Sequence, residues 1–238
     1  LYERGLDYMK MNQIFTDTDR NYRMYNGNQW EDAKLGDLEP VQYNYISTIV
    51  NYQVSTINQN LWGIHFNSEN FDNKEFRKTA EATCEMLDRK ASKVWEKDQM
   101  DNKIRRVSDD SAINDEGIIY VYYDEETQSP VNEIINKNDI QYGNEQDDDI
   151  QAQPYILISK RKPVSEARQF ALNKGVKKKD IELIIGDKNT WEQAGEDAKQ
   201  EKDDMCTIVT KMYKKDGKVF YSQSTMQVDI IKDKETKS

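Results

Sequence analysis

Three acidic residues in a row, Asp147, Asp148 and Asp149, lie shortly after Gly143 and ahead of a basic run that contains Lys160 and Arg161. Clustered carboxylates can hold Mg²⁺ for phosphoryl transfer, so a metal-dependent phosphoryl-transfer enzyme using this loop with Lys160 or Arg161 is one reading of the chain. Consecutive residues of an extended chain point to opposite faces, however, and three in a row seldom converge on one ion. A solvated acidic loop is the commoner outcome. Asp124, Glu125 and Glu126 follow a β-rich run and read as a turn in the same way. His65 is the only histidine; it leaves no second imidazole for a metal pair, and an ordinary surface or partly buried histidine is the plainer assignment. No GxGxxG, P-loop or GxSxG pattern is present. Catalytic residues, metal ligands and cofactors are therefore all assigned as none, and the chain is read as not an enzyme.

Two lysine-rich runs, Ser159 to Pro163 and Asn173 to Asp180, offer a different chemistry, contact with phosphate or with an acidic neighbour. No aromatic residues interleave those lysines as they would on a platform that stacks single-stranded bases, so a charged solvent face is the simpler reading. Docking of a partner protein through Lys177, Lys178 and Lys179 is a third, weaker possibility.

The composition narrows the field further. Charged residues make up 33% of the 238 and apolar ones 36%, with a formal net charge of -10 and a pI near 4.8. Such a chain is polar yet too rich in Tyr, Trp and Ile to be disordered, and it is long enough to bury a core. Its charge disfavours static binding to DNA or anionic lipid, although an acidic wall suits a passage through which DNA slides without being trapped. Cys84 and Cys206 stand far apart with no CxxC pattern, which implies neither a zinc site nor a disulfide framework and fits a reducing compartment. No run of about eighteen apolar residues and no signal peptide is visible, which argues against membrane spanning and secretion. The chain opens at Leu1 inside a helical pattern, as a fragment would.

These side chains must be positioned by elements that the hydrophobic periodicity predicts. Leu6, Met9, Ile14, Tyr22 and Tyr25 predict one helix over residues 1–25, stopped before Gly27. After Pro40, a second helix carries Tyr45, Ile49 and Tyr52 on one face and Ile46, Val50, Ile57 and Leu61 on an adjacent one. Asp72 and Glu75 make a capping-box-like start to a long helix over about residues 74–112, with a break near Asp101. From Gly117 the period changes to that of strands: GIIYVYY, then VNEIINKNDIQYG as one strand leading into a turn, then QPYILISKRK. VSEARQFALNKG is a short helix with a glycine cap, and KKDIELIIGD and NTWEQAGEDAKQ are further helical pieces. MCTIVTKMYKK and KVFYSQSTMQVDII form a hairpin about Asp216 and Gly217, and KDKETKS is a solvated tail. The expected fold is α+β in a single domain over 1–238, mainly helical over 1–113 and α+β over 114–238. Its N-terminal helices include one long helix, and they lead to a mixed or antiparallel sheet with short inserted helices and with the helices on one side.

One stretch joins these elements to a family. A helix carrying Arg20, Tyr22 and Arg23, then Tyr25, Gly27, Gln29 and Trp30, then Pro40 and Asn44 ahead of a second helix, resembles the N-terminal region of tailed-bacteriophage portal proteins, the head–tail connectors. The downstream order, from the long polar helix through GIIYVYYDEE and NDIQYG to QPYILISKRKPVSEAR, looks similar over about the whole chain. Physically, Gly27 can end the first helix with positive φ, and Tyr25 and Trp30 can staple the turn to the second helix. The resemblance implies a structural subunit of a homo-oligomeric ring, usually a dodecamer, at one capsid vertex of a phage or prophage. It is assembled in the bacterial host cytoplasm and ends in the virion. Double-stranded DNA passes through its channel during packaging and ejection without sequence-specific binding, terminase docks on it, and capsid and head-completion proteins bind it. The chain would be the N-terminal wing region, with stem, clip and crown absent. On this resemblance Arg23, Tyr25, Gly27, Gln29, Trp30 and Asn44 are family-signature positions with a structural role.

Overall fold

A computed structural model describes residues 1–31, 33–34, 36, 39, 41–60, 62–68, 74–124, 127–147, 149–187 and 204–236. In chain order the elements are α1 (Tyr2–Met11), α2 (Ile14–Tyr25), α3 (Tyr45–Ile57), α4 (Lys74–Lys97), α5 (Met100–Asn114), β1 (Ile118–Asp124), β2 (Ser129–Ile135), a 3-10 turn (Lys137–Asp139), β3 (Ile140–Tyr142), β4 (Ile156–Pro163), α6 (Val164–Asn173), α7 (Lys178–Ile181), β5 (Met205–Lys215), β6 (Lys218–Ser224) and β7 (Asp229–Glu235). The chain folds as α+β, with N-terminal helices followed by antiparallel sheets. Chain contacts gather into two compact units, one of residues 1–18 with 138–238 and one of residues 19–137. The change from helix to strand expected at 113/114 is there, but compactness divides the chain elsewhere.

In the unit of residues 19–137, α3 lays Val50 and Val54 against its own chain, both buried, and packs on α5. β1 and β2 form an antiparallel hairpin that pairs Ile118 with Ile135 and Asp124 with Ser129. The long helix is two helices. Gln99 takes a φ of 50°, outside the right-handed region, and breaks the ladder just before the expected position at Asp101. The break has a use: Asn132 of β2 donates to Asp98 at 2.6 Å, and Lys103 of α5 donates to the Asn132 carbonyl at 2.6 Å. That amide bond, above all, holds the Asp98 carboxyl below its usual range.

In the other unit a five-stranded antiparallel sheet runs in the order β3-β4-β5-β6-β7. Asp216 and Gly217 both have positive φ, the two-residue turn expected between β5 and β6. Cross-strand partners share a face, so Cys206 and Ile208, opposite Lys162 and Lys160, lie on one side. There they join Ala167 and Ala171 of α6, Ile184, Val228 and Ile230 in the buried core. Gln141, opposite Leu157, lies on the other side. α1 meets β3 there, and Gly5 comes so close that a Cβ on it would sit 2.2 Å from Gln141 Oε1. Helices therefore cover both faces of this sheet, where one face was expected.

Other elements depart from the periodicity for local reasons. The first helix is also two, broken where Gln13 adopts a φ of 56°. The single strand expected over VNEIINKNDIQYG is β2 and β3, separated by the 3-10 turn; the second arm of the last hairpin is β6 and β7, separated where Thr225 bonds back to Val228. KKDIELIIGD is helical only over α7, and the supposed tail is strand as far as Glu235. Pro40, Leu61, Asp72, Glu125, Glu126, Asp148, NTWEQAGEDAKQ and the last two residues of the tail lie outside the described residues.

Candidate functional site

The signature positions converge on the turn between α2 and α3. α2 ends in a Schellman arrangement, with Asn28 N bonded to Arg23 O at 2.9 Å and Gly27 N to Met24 O at 3.1 Å. Gly27 is buried with a φ of 82°, a conformation that strains any residue bearing a Cβ. Asn44 works in two directions. Its Oδ1 accepts from Ser47 N at 3.1 Å, capping α3, while its Nδ2 donates to the Tyr25 carbonyl at 2.8 Å, satisfying one of the open carbonyls at the end of α2.

The remaining positions brace this joint. The Tyr25 hydroxyl donates to Asn51 Oδ1 at 3.2 Å on α3, and Trp30 Nε1 donates to the Val41 carbonyl at 3.1 Å. Arg23 pairs with Asp19 at 3.2 Å and with Glu31 at 3.5 Å, so one guanidinium spans the end of α2 and the turn. Gln29 is half-buried within it. The two rings thus hold the turn through their polar tips, a different means from the packing staple expected of them. Deeper in the same unit, the Tyr22 hydroxyl donates to Asp110 at 2.6 Å. Burial, reinforced by that carboxylate, pushes the phenol up to about 12.

The acidic loop is occupied with its own backbone. Asp147 Oδ1 accepts from Asp149 N at 3.0 Å, and Asp149 Oδ1 accepts from Gln151 N at 2.8 Å, two side-chain turns in succession. Gln153, buried beneath, donates to the Asp147 carbonyl at 2.6 Å and to the Asn144 carbonyl at 2.9 Å. Among the described residues no group of three or more His, Cys, Asp or Glu side chains is arranged to hold a metal ion. His65 is exposed, its Nδ1 lying 2.7 Å from Asp88 Oδ2, while Asp88 also accepts from Phe66 N at 2.8 Å. Lys177, Lys178 and Lys179 are exposed where α7 begins.

One cluster was missed from the sequence. Arg161 donates to Asp187 Oδ1 at 2.7 Å and to the Asp187 carbonyl at 3.0 Å; Asp187 Oδ2 takes Thr207 N at 2.7 Å, and Oδ1 takes the Thr207 hydroxyl at 2.9 Å. The pair is largely buried, with side chains 20% and 13% exposed. Asp187 N reaches the Met205 carbonyl at 3.0 Å, so the segment closes the start of β5, where β6 does not reach. The Cys206 thiol beside it is pushed up by burial, which suits a packed side chain and not a nucleophile. Lys160 has its ammonium pKa pulled down, first by burial and then by Lys162. No spacing rule links residues 161, 187 and 207, since the sheet register alone brings them together.

Among the described residues no helix is long and apolar enough to cross a membrane. No protein-family model matches the chain, and no curated protein matches it.

Proposed function

We propose that this chain is a structural subunit of a bacteriophage portal ring, its wing-like part, acting through assembly and not through bond making. In this role it forms part of the channel for DNA packaging and ejection at a capsid vertex and a docking site for terminase and head–tail connector proteins. The observation that supports the reading is the joint between α2 and α3. Residues whose order resembles the portal pattern, Arg23, Tyr25, Gly27, Trp30 and Asn44, converge there on one set of bonds. A turn built from six dispersed positions that fixes how two helices meet is a structural signature, and structural precision is what repeated subunits require. The phosphoryl-transfer alternative gains nothing from the geometry, because Asp147 and Asp149 are turned to backbone amides and Arg161 to Asp187.

Native mass spectrometry of the complete gene product tests the proposal. A portal subunit gives one closed, high-order homo-oligomer with a narrow stoichiometry. A monomer over a range of concentrations and salts would count decisively against it.

A further inference from the structure

Helix α3 is apolar on two sides, and its own chain covers one of them. Ser47, Val50, Val54 and Asn58, spaced by three and four residues, are its least exposed positions and mark the covered seam. At 3.6 residues per turn the opposite side carries Tyr45, Ile49 and Tyr52. These are 69%, 57% and 74% exposed. Tyr43 stacks on Tyr45 with ring centroids 6.1 Å apart and extends the same surface past the start of the helix. A helix that is apolar all round belongs inside a protein. Here one whole side, holding two tyrosines and an isoleucine, is left to water.

Charge restricts what can cover it. Residues 41–68 contain no Asp, Glu, Lys or Arg, the longest such stretch in a chain that is 33% charged. Loss of charge combined with tyrosine enrichment is the composition of an interface core. Nucleic acid binding requires cations that this face lacks. A helix lying on an anionic membrane carries lysines and arginines along its polar side, and α3 has none. A charged protein partner would have to bury its charges unpaired against tyrosine and isoleucine. Two copies of this chain, each at -10, repel over most of their surfaces. The stretch around α3 is where they can approach without opposing like charges.

We infer that the outer side of α3, centred on Tyr45, Ile49 and Tyr52, is the contact surface for a second copy of this chain. The inference rests on the assembly reading above and names the surface that reading lacks. Burying these side chains removes large apolar area from water on both copies, and tyrosines at an interface centre are where binding energy concentrates.

Sedimentation equilibrium of the full chain and of its Ile49→Glu and Tyr52→Glu variants tests it. Both substitutions fall on exposed positions, so the melting curves stay unchanged, while self-association weakens by tenfold or more. Lys179→Glu leaves association as it is. As a second measurement independent of any variant's fold, p-benzoylphenylalanine at position 52 gives a photo-crosslinked dimer, whereas the same group at position 179 does not. Equal association constants in the wild type and both glutamate variants would overturn the surface and leave assembly standing. A wild-type chain that sediments as a 28.0 kDa monomer at every concentration would also overturn it. A confirmed surface in a gene product that builds no closed oligomer would keep this inference and sink the portal reading.

Discussion

Replacing Asn44 by alanine removes two bonds at once, and their separate worth follows from the geometry. The side chain caps α3 through Ser47 N at 3.1 Å, and losing such a cap costs about 1 kcal/mol. It also donates to the Tyr25 carbonyl at 2.8 Å in a part-buried setting, a bond worth about 1 kcal/mol net. Asn44→Ala is therefore expected to destabilise the chain by about 2 kcal/mol, or roughly 4 to 8 °C in melting temperature for a chain of this size. Asn44→Asp separates the two contributions. Aspartate caps as well as asparagine, but it sets an oxygen against the Tyr25 carbonyl, so it retains the cap and loses about 1 kcal/mol or somewhat more. Gly27→Ala adds left-handed strain of about 1 to 2 kcal/mol, and its Cβ would lie 3.2 Å from Asn44 Nδ2. Because the two residues touch, the double variant with Asn44→Ala costs less than the sum by at least about 0.5 kcal/mol. Urea unfolding followed by circular dichroism measures all four. A loss under about 0.5 kcal/mol for Asn44→Ala, or strict additivity in the cycle, would show that the α2–α3 joint does not depend on this residue.

Other expectations follow from the same reasoning. Asp187→Ala strands the largely buried Arg161 guanidinium and two Thr207 donors, and urea unfolding should register a loss of about 3 kcal/mol or more. The Tyr22 phenol, raised to about 12 in the folded chain, keeps its stabilising contribution in full below its ordinary pKa of 10. That contribution is lost as the pH climbs from there to about 12, since the unfolded chain ionises first. Tyr22→Phe should flatten this window in a stability-versus-pH series, and an unchanged alkaline slope would count against the Tyr22–Asp110 bond. Titration of the chain with Mg²⁺ should give no saturable heat, and Asp147→Asn with Asp149→Asn should leave stability within about 0.5 kcal/mol, because asparagine oxygens accept the same backbone bonds. Saturable Mg²⁺ binding abolished by that double variant would revive the phosphoryl-transfer reading.

What could be read from the sequence was what is local. The hydrophobic period placed α3, α6, β1 and β4, and the Asp216–Gly217 pair marked its hairpin, because each depends on neighbours within a few residues. The helix breaks at Gln13 and Gln99 carry no glycine or proline; they arise where glutamine is driven into positive φ so that later contacts, such as Asn132 with Asp98, can form. The split of β2 from β3 and of β6 from β7 was invisible because each interruption is only a few residues long and lies inside a β-rich run. At the joint, Gly27 announced its helix stop, whereas the bond from Asn44 back to Tyr25 spans nineteen positions and had no local mark. The Arg161–Asp187–Thr207 cluster is further still from any motif, being a product of strand register.

The central claim is that this chain serves as a subunit of a ring, and negative-stain electron microscopy of the complete gene product examines it most directly. Closed rings of uniform diameter with a central hole are the predicted result. Uniformly small particles without a hole, over a range of concentrations and salts, would contradict it.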